Sequence, residues 1–342
     1  MAPVAGVTAG GEAVLPAAVA ALLAAIAVWA LRRFAPRLPV DRPGPRSLHR
    51  APVSRVGGLA IWAGFVPVAL AVPPAVPGPW VLWLGALAIV AGVSVLDDFR
   101  GVHPATRLVL HAVAALGVAF AVLGAGPALP AGTAGLGLAL ATVTLMWGAN
   151  LYNFMDGSDG LAATMALLGF GAYGLAAWHA AAPAAAYFAL AGAILPFLAV
   201  NLPPARMFMG DVGAVPLGFL AAAFGLAGWR TGIWPAWFPL LVFLPFVADA
   251  SATLGRRLLR RERVWEAHKM HYYQRVHQLG AGHRGTLLLF AVVMAGTGAS
   301  ALATLVLDPA SGWLVLLGWS GVLAAVYAVI DYHWRHRTPA PQ

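Results

Sequence analysis

The chain has 342 residues, 61% hydrophobic and only 10% charged, with 21 Lys and Arg against 12 Asp and Glu and a formal net charge of +9. A soluble globular domain, in which about a quarter of residues are charged, is excluded, and the absence of cysteine excludes disulfides and thiolate metal sites. In so apolar a chain the distribution of positive charge matters more than its sum, and no nucleic-acid partner is expected.

A membrane-spanning helix needs about 20 apolar residues. Runs of that kind fall at 13–34, 56–74, 79–96, 105–124, 133–149, 160–178, 183–201, 213–229, 236–254, 285–306 and 312–333. These spans, about eleven, predict an all-α polytopic integral membrane protein forming a single domain over residues 1–342. The leading "MAPVAGVTAGGEAV" lacks the basic stretch of a secretory signal, so the first run reads as a retained helix. With the N-terminus periplasmic, the inward-facing segments hold Arg32 to Arg55, Arg100, Arg107, Arg206, Arg256 to Arg284, Arg335 and Arg337, leaving only Arg230 outside. The positive-inside rule therefore predicts a periplasmic N-terminus and a cytoplasmic C-terminus.

This topology brings five carboxylates to the cytoplasmic side: Asp97 and Asp98 at the end of span three, Asp156 and Asp159 between spans five and six, and Asp211 between spans seven and eight. Loops at 97–107, 150–159, 202–212 and 255–284 are the candidate active-site segments. The 150–159 loop contains no Lys, Arg or Glu, so it is no ordinary solvated face. Carboxylates gathered at one membrane depth, beside loops rich in Arg and His, suit a divalent cation and a polyanionic substrate.

In "LDDFRGVHPATRLVLH", Leu96–His111, the macrodipole disfavours two anions at a helix C-terminus unless a cation compensates. Neighbouring side chains diverge by about 100° on a helix, so Asp97 and Asp98 are expected to differ in role. In "NLYNFMDGSDGLAA", Asn150, Asn153 and Asp156 share one face if the fifth helix continues inward; their amides suit a sugar or nucleobase, and Asp159 or Ser158 can cap the sixth helix. "NLPPARMFMGDVGAVPLGFLAA" sets Asp211 in a glycine-flanked turn opening the eighth span, either as a helix cap or as a ligand. The arginines at 256, 257, 260, 261 and 263 read as an interfacial anchor for membrane lipid. In "AHKMHYYQR", His268, His271 and Arg275 would line one helical face and, with Lys269, clamp a pyrophosphate. Zinc is an alternative there, but the aspartate-rich partners favour Mg²⁺ and phosphate chemistry.

From "PVSRVGG" at Pro52–Gly58 through the His-containing loop, these motifs in this order resemble the polyprenyl-phosphate N-acetylhexosamine-1-phosphate transferases. That superfamily includes the phospho-MurNAc-pentapeptide translocase and the phospho-GlcNAc transferases that start surface polysaccharides. The resemblance implies a multi-pass bacterial inner-membrane enzyme with a cytoplasmic site. Its reaction would transfer a sugar 1-phosphate from a UDP-sugar to undecaprenyl phosphate, releasing UMP, with Mg²⁺ or Mn²⁺; a homodimer is compatible with it. It casts Asp211 and Asp156 as metal ligands and Asp97, Asp98, Asp156, Asp159, His268 and His271 as catalytic. Asn150, Asn153, Arg107, Arg206, Lys269 and Arg275 would bind substrate. The sequence departs from the family at Ala105, at His111 and in lacking consecutive histidines, and "HKMHYYQR…QLGAGH" looks more like the surface-polysaccharide branch, with UDP-GlcNAc or a 6-deoxy UDP-sugar such as UDP-FucNAc or UDP-QuiNAc as donor. The pentapeptide translocase is the alternative; a secondary transporter would instead carry its carboxylates near the midplane.

Overall fold

The computed structural model describes residues 6–34, 40–41, 48, 52–125, 130, 132–263 and 268–336. Its helices are α1 (Gly6–Arg33), α2 (Gly58–Ala71), α3 (Trp80–Arg100), α4 (Pro104–Leu123), α5 (Ala134–Phe154), α6 (Leu161–His179), α7 (Ala185–Asn201), α8 (Asp211–Arg230), α9 (Trp237–Val242), α10 (Leu244–Leu259), α11 (Tyr272–Val276), α12 (Gly282–Leu307) and α13 (Gly312–His336). A two-residue antiparallel ladder, β1 (Val40–Asp41) with β2 (Val53–Ser54), is the sheet among the described residues. The chain is therefore the expected all-α polytopic membrane protein.

Every apolar run of the sequence meets a helical element, but the elements differ in reach. Among the described residues eight helical segments are long and apolar enough to cross a membrane, while α2 and α7 are shorter apolar helices. At 1.5 Å per residue, the 14 residues of α2 rise about 21 Å against a hydrocarbon core of about 30 Å. The ninth run is broken at Phe243 into α9 and α10, with Pro245 in the first turn of α10.

Helix α8 is the centre of the bundle: it is buried along its length and packs against α2, α3, α4, α5 and α6. Such close packing needs small residues, because lipid tails offer no hydrophobic drive between helices and van der Waals fit must supply the association. Gly148 of α5 and Gly218 of α8 meet backbone to backbone, as do Gly58 of α2 and Gly213 of α8. The α2–α8 crossing is continued by hydrogen bonds from Gly57 N–H to Phe208 C=O, from Gly58 N–H to Met209 C=O (both 2.9 Å) and from Phe208 N–H to Ser54 C=O (2.7 Å). The segment before α2 thus lies along the loop that opens α8. Gly210 caps α8 at φ 72°, where a Cβ would strike the Arg55 carbonyl at 1.9 Å, so only glycine serves both the turn and the close approach.

A methyl group on Gly58 would stand 2.3 Å from the Gly213 backbone, whereas one on Gly85 meets nothing within 4 Å. Gly58→Ala is therefore expected to destabilise the fold by about 1–3 kcal/mol, the usual cost of overpacking. Thermal unfolding in detergent checks it, with Gly85→Ala expected to leave the midpoint unlowered.

Candidate active site

At the end of the bundle where α3, α5 and α7 finish and α8 begins lies a cavity of about 460 Å³, lined by Asp41, Asp98, Asp156, Asp159 and Asp211 together with Arg55, Asn153, Asn201, Phe208, Gln274 and His283. Among the described residues, five aspartates line it with one arginine and one histidine.

Each carboxylate is held differently. Asp98, 5% exposed, accepts the Val212 N–H at 3.1 Å on Oδ2, while Arg55 Nε lies 3.5 Å from its Oδ1 and Arg55 Nη2 donates to its backbone carbonyl at 2.5 Å. It therefore caps α8 from another helix, and the α8 dipole favours the anion there. Asp97 points away from the cavity, accepting the Val102 N–H at 2.7 Å and a short bond from Arg107 Nη1. The other arm of Arg107 donates to Asp211 Oδ2 at 3.2 Å. Asp211 is the first residue of α8 and makes no capping bond of its own; Gly210 is the cap.

Asp159 accepts the Ala205 N–H at 2.9 Å. It does not cap α6, and neither does Ser158: Gly160 does, with its N–H donated to Asn201 Oδ1 at 3.0 Å. Asn201 in turn donates to the Met207 carbonyl at 2.9 Å, fastening the end of α7 to the start of α6 and to the 202–210 loop. Asp156 has no hydrogen bond or ion pair to its carboxylate among the described residues. Burial, then the charges of Asp211, Asp98 and Asp159, raise its pKa well above the ordinary carboxylate range.

The stacking of Asn150, Asn153 and Asp156 on one helical face does not occur, because α5 ends at Phe154 and Asp156 lies in the following turn. Asn153 and Asp156 still reach the cavity; Asn150 instead donates to the Met146 carbonyl of its own helix at 2.8 Å. Arg206 is exposed and outside the lining.

The His268, His271 and Arg275 helix face is likewise corrected. The helix α11 begins only at Tyr272, so His271 is its N-cap and His268 precedes it. Buried Asp249 collects the N–H groups of Tyr272 and Tyr273, each at 2.9 Å, and lies 3.2 Å from His271 Nδ1. It thereby anchors the start of α11. Arg275 is buried in an ion pair with Asp331 of α13 at 2.7 Å and donates to the Met270 carbonyl at 2.9 Å. Tyr272 stacks on Tyr327 of α13 at 3.8 Å. His268 stacks on His271 at 4.9 Å, and burial, with the charges of His271 and Arg257, pushes its pKa down to about 4, leaving it uncharged at neutral pH. His268, Lys269, His271 and Arg275 do not line the cavity; from this loop Gln274 does, and His283 joins it from the start of α12.

The sequence matches the profile of glycosyl transferase family 4 over residues 80–228. It is 30% identical to a decaprenyl-phosphate N-acetylglucosaminephosphotransferase of Mycobacterium tuberculosis, over 93% of this chain and 89% of that protein. The chain belongs to glycosyl transferase family 4. Among its relatives in that family are a probable undecaprenyl-phosphate N-acetylglucosaminyl 1-phosphate transferase of Bacillus subtilis, 27% identical over 81% of this chain and 79% of that protein, and a phospho-N-acetylmuramoyl-pentapeptide-transferase of Shouchella clausii, 30% identical over 62% of this chain and 73% of that protein. The family match spans Asp97, Asp98, the 150–159 turn and Asp211, and ends before the His-containing loop.

Arg275 in a structural ion pair predicts a specific energetic pattern. Arg275→Met and Asp331→Asn are each expected to cost about 3–5 kcal/mol, as for a buried pair broken on one side, and the double variant to fall short of the sum by about 0.5–3 kcal/mol. Chemical unfolding in micelles measures this cycle; additive losses would remove the pair from the account of α11.

Proposed function

We propose that this family 4 protein transfers N-acetylhexosamine 1-phosphate from a UDP-sugar to a polyprenyl phosphate such as undecaprenyl phosphate, releasing UMP and starting a lipid-linked polysaccharide. The observation that carries this reading is the gathering of Asp98, Asp156, Asp159 and Asp211 in one cavity, with the Asp156 carboxylate unpaired among the described residues. Such a group is stable as an anion only beside a cation, and a cation bound there is poised to meet a diphosphate. UDP-GlcNAc is the favoured donor, since the relatives that align along most of the chain carry N-acetylglucosamine in their names.

Hard oxygen donors suit Mg²⁺, with Mn²⁺ able to substitute. Among the described residues no three His, Asp or Glu converge as a ready-made metal cage. That accords with an ion that keeps several waters and uses one or two carboxylates plus substrate phosphates. Asp211 and Asp156 would hold it, and when bound it would neutralise charge on the phosphates.

The acceptor phosphate, with a second pKa of about 6, is largely ionised at neutral pH and needs no strong base. Its oxygen attacks the β-phosphorus of the donor; the bond from that phosphorus to the bridging oxygen breaks, and UMP departs with that oxygen. Asp98, fixed by Val212 N–H and flanked by Arg55, orients the phosphates at the cavity wall. Asp97 acts one step back, holding Arg107 on Asp211. An apolar groove of about 250 Å³ between α5, α8 and α9, lined by residues including Trp147, Leu151, Ala222, Leu226 and Phe243, suits the prenyl chain. Leu151 is on its wall, and Asn153 of the same helix lines the acidic cavity.

Membranes carrying the protein are expected to form a lipid-linked product from radiolabelled UDP-GlcNAc and undecaprenyl phosphate in a Mg²⁺-dependent manner. UDP-FucNAc, UDP-QuiNAc and UDP-MurNAc-pentapeptide complete the panel, and product from the pentapeptide donor alone would establish the translocase reading. Asp98→Asn is expected to lower kcat by about 100-fold, the usual cost of misplacing the reacting groups. Asp97→Asn should act mainly by raising the Mg²⁺ concentration needed for half-maximal rate; matching profiles for the two would refute their separate roles.

The cavity is proposed to face the cytoplasm of a bacterial inner membrane. Single cysteines placed at Arg100, Gly157 and Arg206 of this cysteine-free chain are expected to resist an impermeant reagent added from the periplasm. Labelling of any of them from that side would reverse the topology.

A further inference from the structure

His283 is 235 residues from Leu48 in sequence and 124 from Asp159, yet it touches both. Gly280, at φ 107°, breaks the helical run between α11 and α12, and the redirected chain aims the ring at the cavity. Its Nδ1 lies 3.2 Å from the Asp159 backbone N–H and 3.1 Å from Ser158 Oγ. Its Nε2 lies 3.3 Å from the Leu48 carbonyl. The two backbone partners fix the proton: a peptide N–H can only donate, so Nδ1 carries the lone pair, and a carbonyl can only accept, so Nε2 carries the hydrogen. The ring packs edge-on against His277 at 4.3 Å, which limits its rotation. The Asp159 carboxylate, 3.5 Å from Nδ1, is held on its other oxygen by the Ala205 N–H.

We infer that His283 is a positioning residue, an imidazole accepting on Nδ1 and donating from Nε2, that clamps the Ser158–Asp159 turn of the cavity to the carbonyl of Leu48. The turn it holds follows directly on Asp156, whose carboxylate no group among the described residues pairs. Asp156 shares the cavity with Asp98, Asp159 and Asp211, and a turn free to move would let these carboxylates separate. A backbone bond to a ring anchored on two other segments prevents it. The importance of the clamp to turnover rests on the proposed active site; the clamp itself does not.

Two isosteres separate its halves. Asn carries its amide oxygen as many bonds from the backbone as Nδ1, and keeps the acceptor for Asp159 N–H; Gln carries its amide nitrogen as many bonds away as Nε2, and keeps only the donor to Leu48. Hydrogen-exchange mass spectrometry of the ligand-free full chain in detergent reads the result in peptides covering Met155 to Leu161. His283→Ala and His283→Gln are expected to speed exchange there about tenfold, the loss of roughly one net hydrogen bond. His283→Asn, which keeps the Asp159 bond but loses the Leu48 anchor, is expected to fall between His283→Ala and the parent, and peptides within α8 should not change in any variant. Equal acceleration in Asn and Ala, no acceleration in Ala, or a parallel rise in α8 would each overturn the inference. Turnover should track this protection, falling in Ala and Gln and recovering in part in Asn. Exchange that behaves as expected with turnover unmoved would uphold the clamp and count against the cavity as the catalytic centre.

Discussion

Mutual repulsion among aspartates drawn into one cavity is the constraint on which the rest of the structure depends. Asp98, Asp156, Asp159 and Asp211 reach it from three separate parts of the chain, and each has to be held there against its neighbours. Backbone donors carry much of the load: Val212 N–H for Asp98 and Ala205 N–H for Asp159. Hydrogen bonds to charged groups are worth about 1.5–3 kcal/mol each. Arg55 and Arg107 add positive charge at the edge, and the N-terminus of α8 directs its dipole at the same place. Of these four, Asp156 is the one without a hydrogen bond or ion pair among the described residues.

Holding this arrangement requires that α8 stay fixed relative to α2, α3 and α5. Glycine contacts bring the helices close enough for backbone atoms, rather than long side chains, to set the distances. The hydrogen bonds between residues 54–58 and 208–209 then transmit that precision to Gly210 and Asp211. A cavity at the end of such a bundle, next to an apolar groove open along its flank, suits a reaction between a water-soluble donor and a lipid acceptor.

The loop from Arg256 to Arg284 divides its residues between scaffold and site. Asp249 and Asp331 use His271, Tyr272, Tyr273 and Arg275 to build and anchor α11. Gln274 and His283 are the residues of this region that line the cavity. Charged and aromatic residues next to one another in sequence thus serve different ends, because a one-turn helix sends neighbouring side chains in divergent directions. Arg256 shares Asp331 with Arg275 and lies over the Tyr272 ring at 5.2 Å, so part of the basic cluster that reads as a lipid anchor is internal.

Composition by itself determined that the chain crosses a membrane many times, because apolar runs of bilayer length have no other stable home. The aspartates in short, charge-poor loops stood out in the sequence because nothing in local stability asks for them, and Asp98, Asp156, Asp159 and Asp211 share one cavity. Asn153, Asp156, Asp159 and Asp211 were found in this way, as was the difference between Asp97 and Asp98, since divergence on a helix is a property of spacing. Only the tertiary structure decided which of that pair lines the cavity, that α5 stops before Asp156, and that Arg275 pairs with Asp331. It also brought in Arg55, Asn201, Gln274 and His283, whose partners lie far away in sequence. Spacing reports which residues share a face of one helix; which helices meet, and which charges find partners, depends on contacts between distant segments that no local pattern encodes.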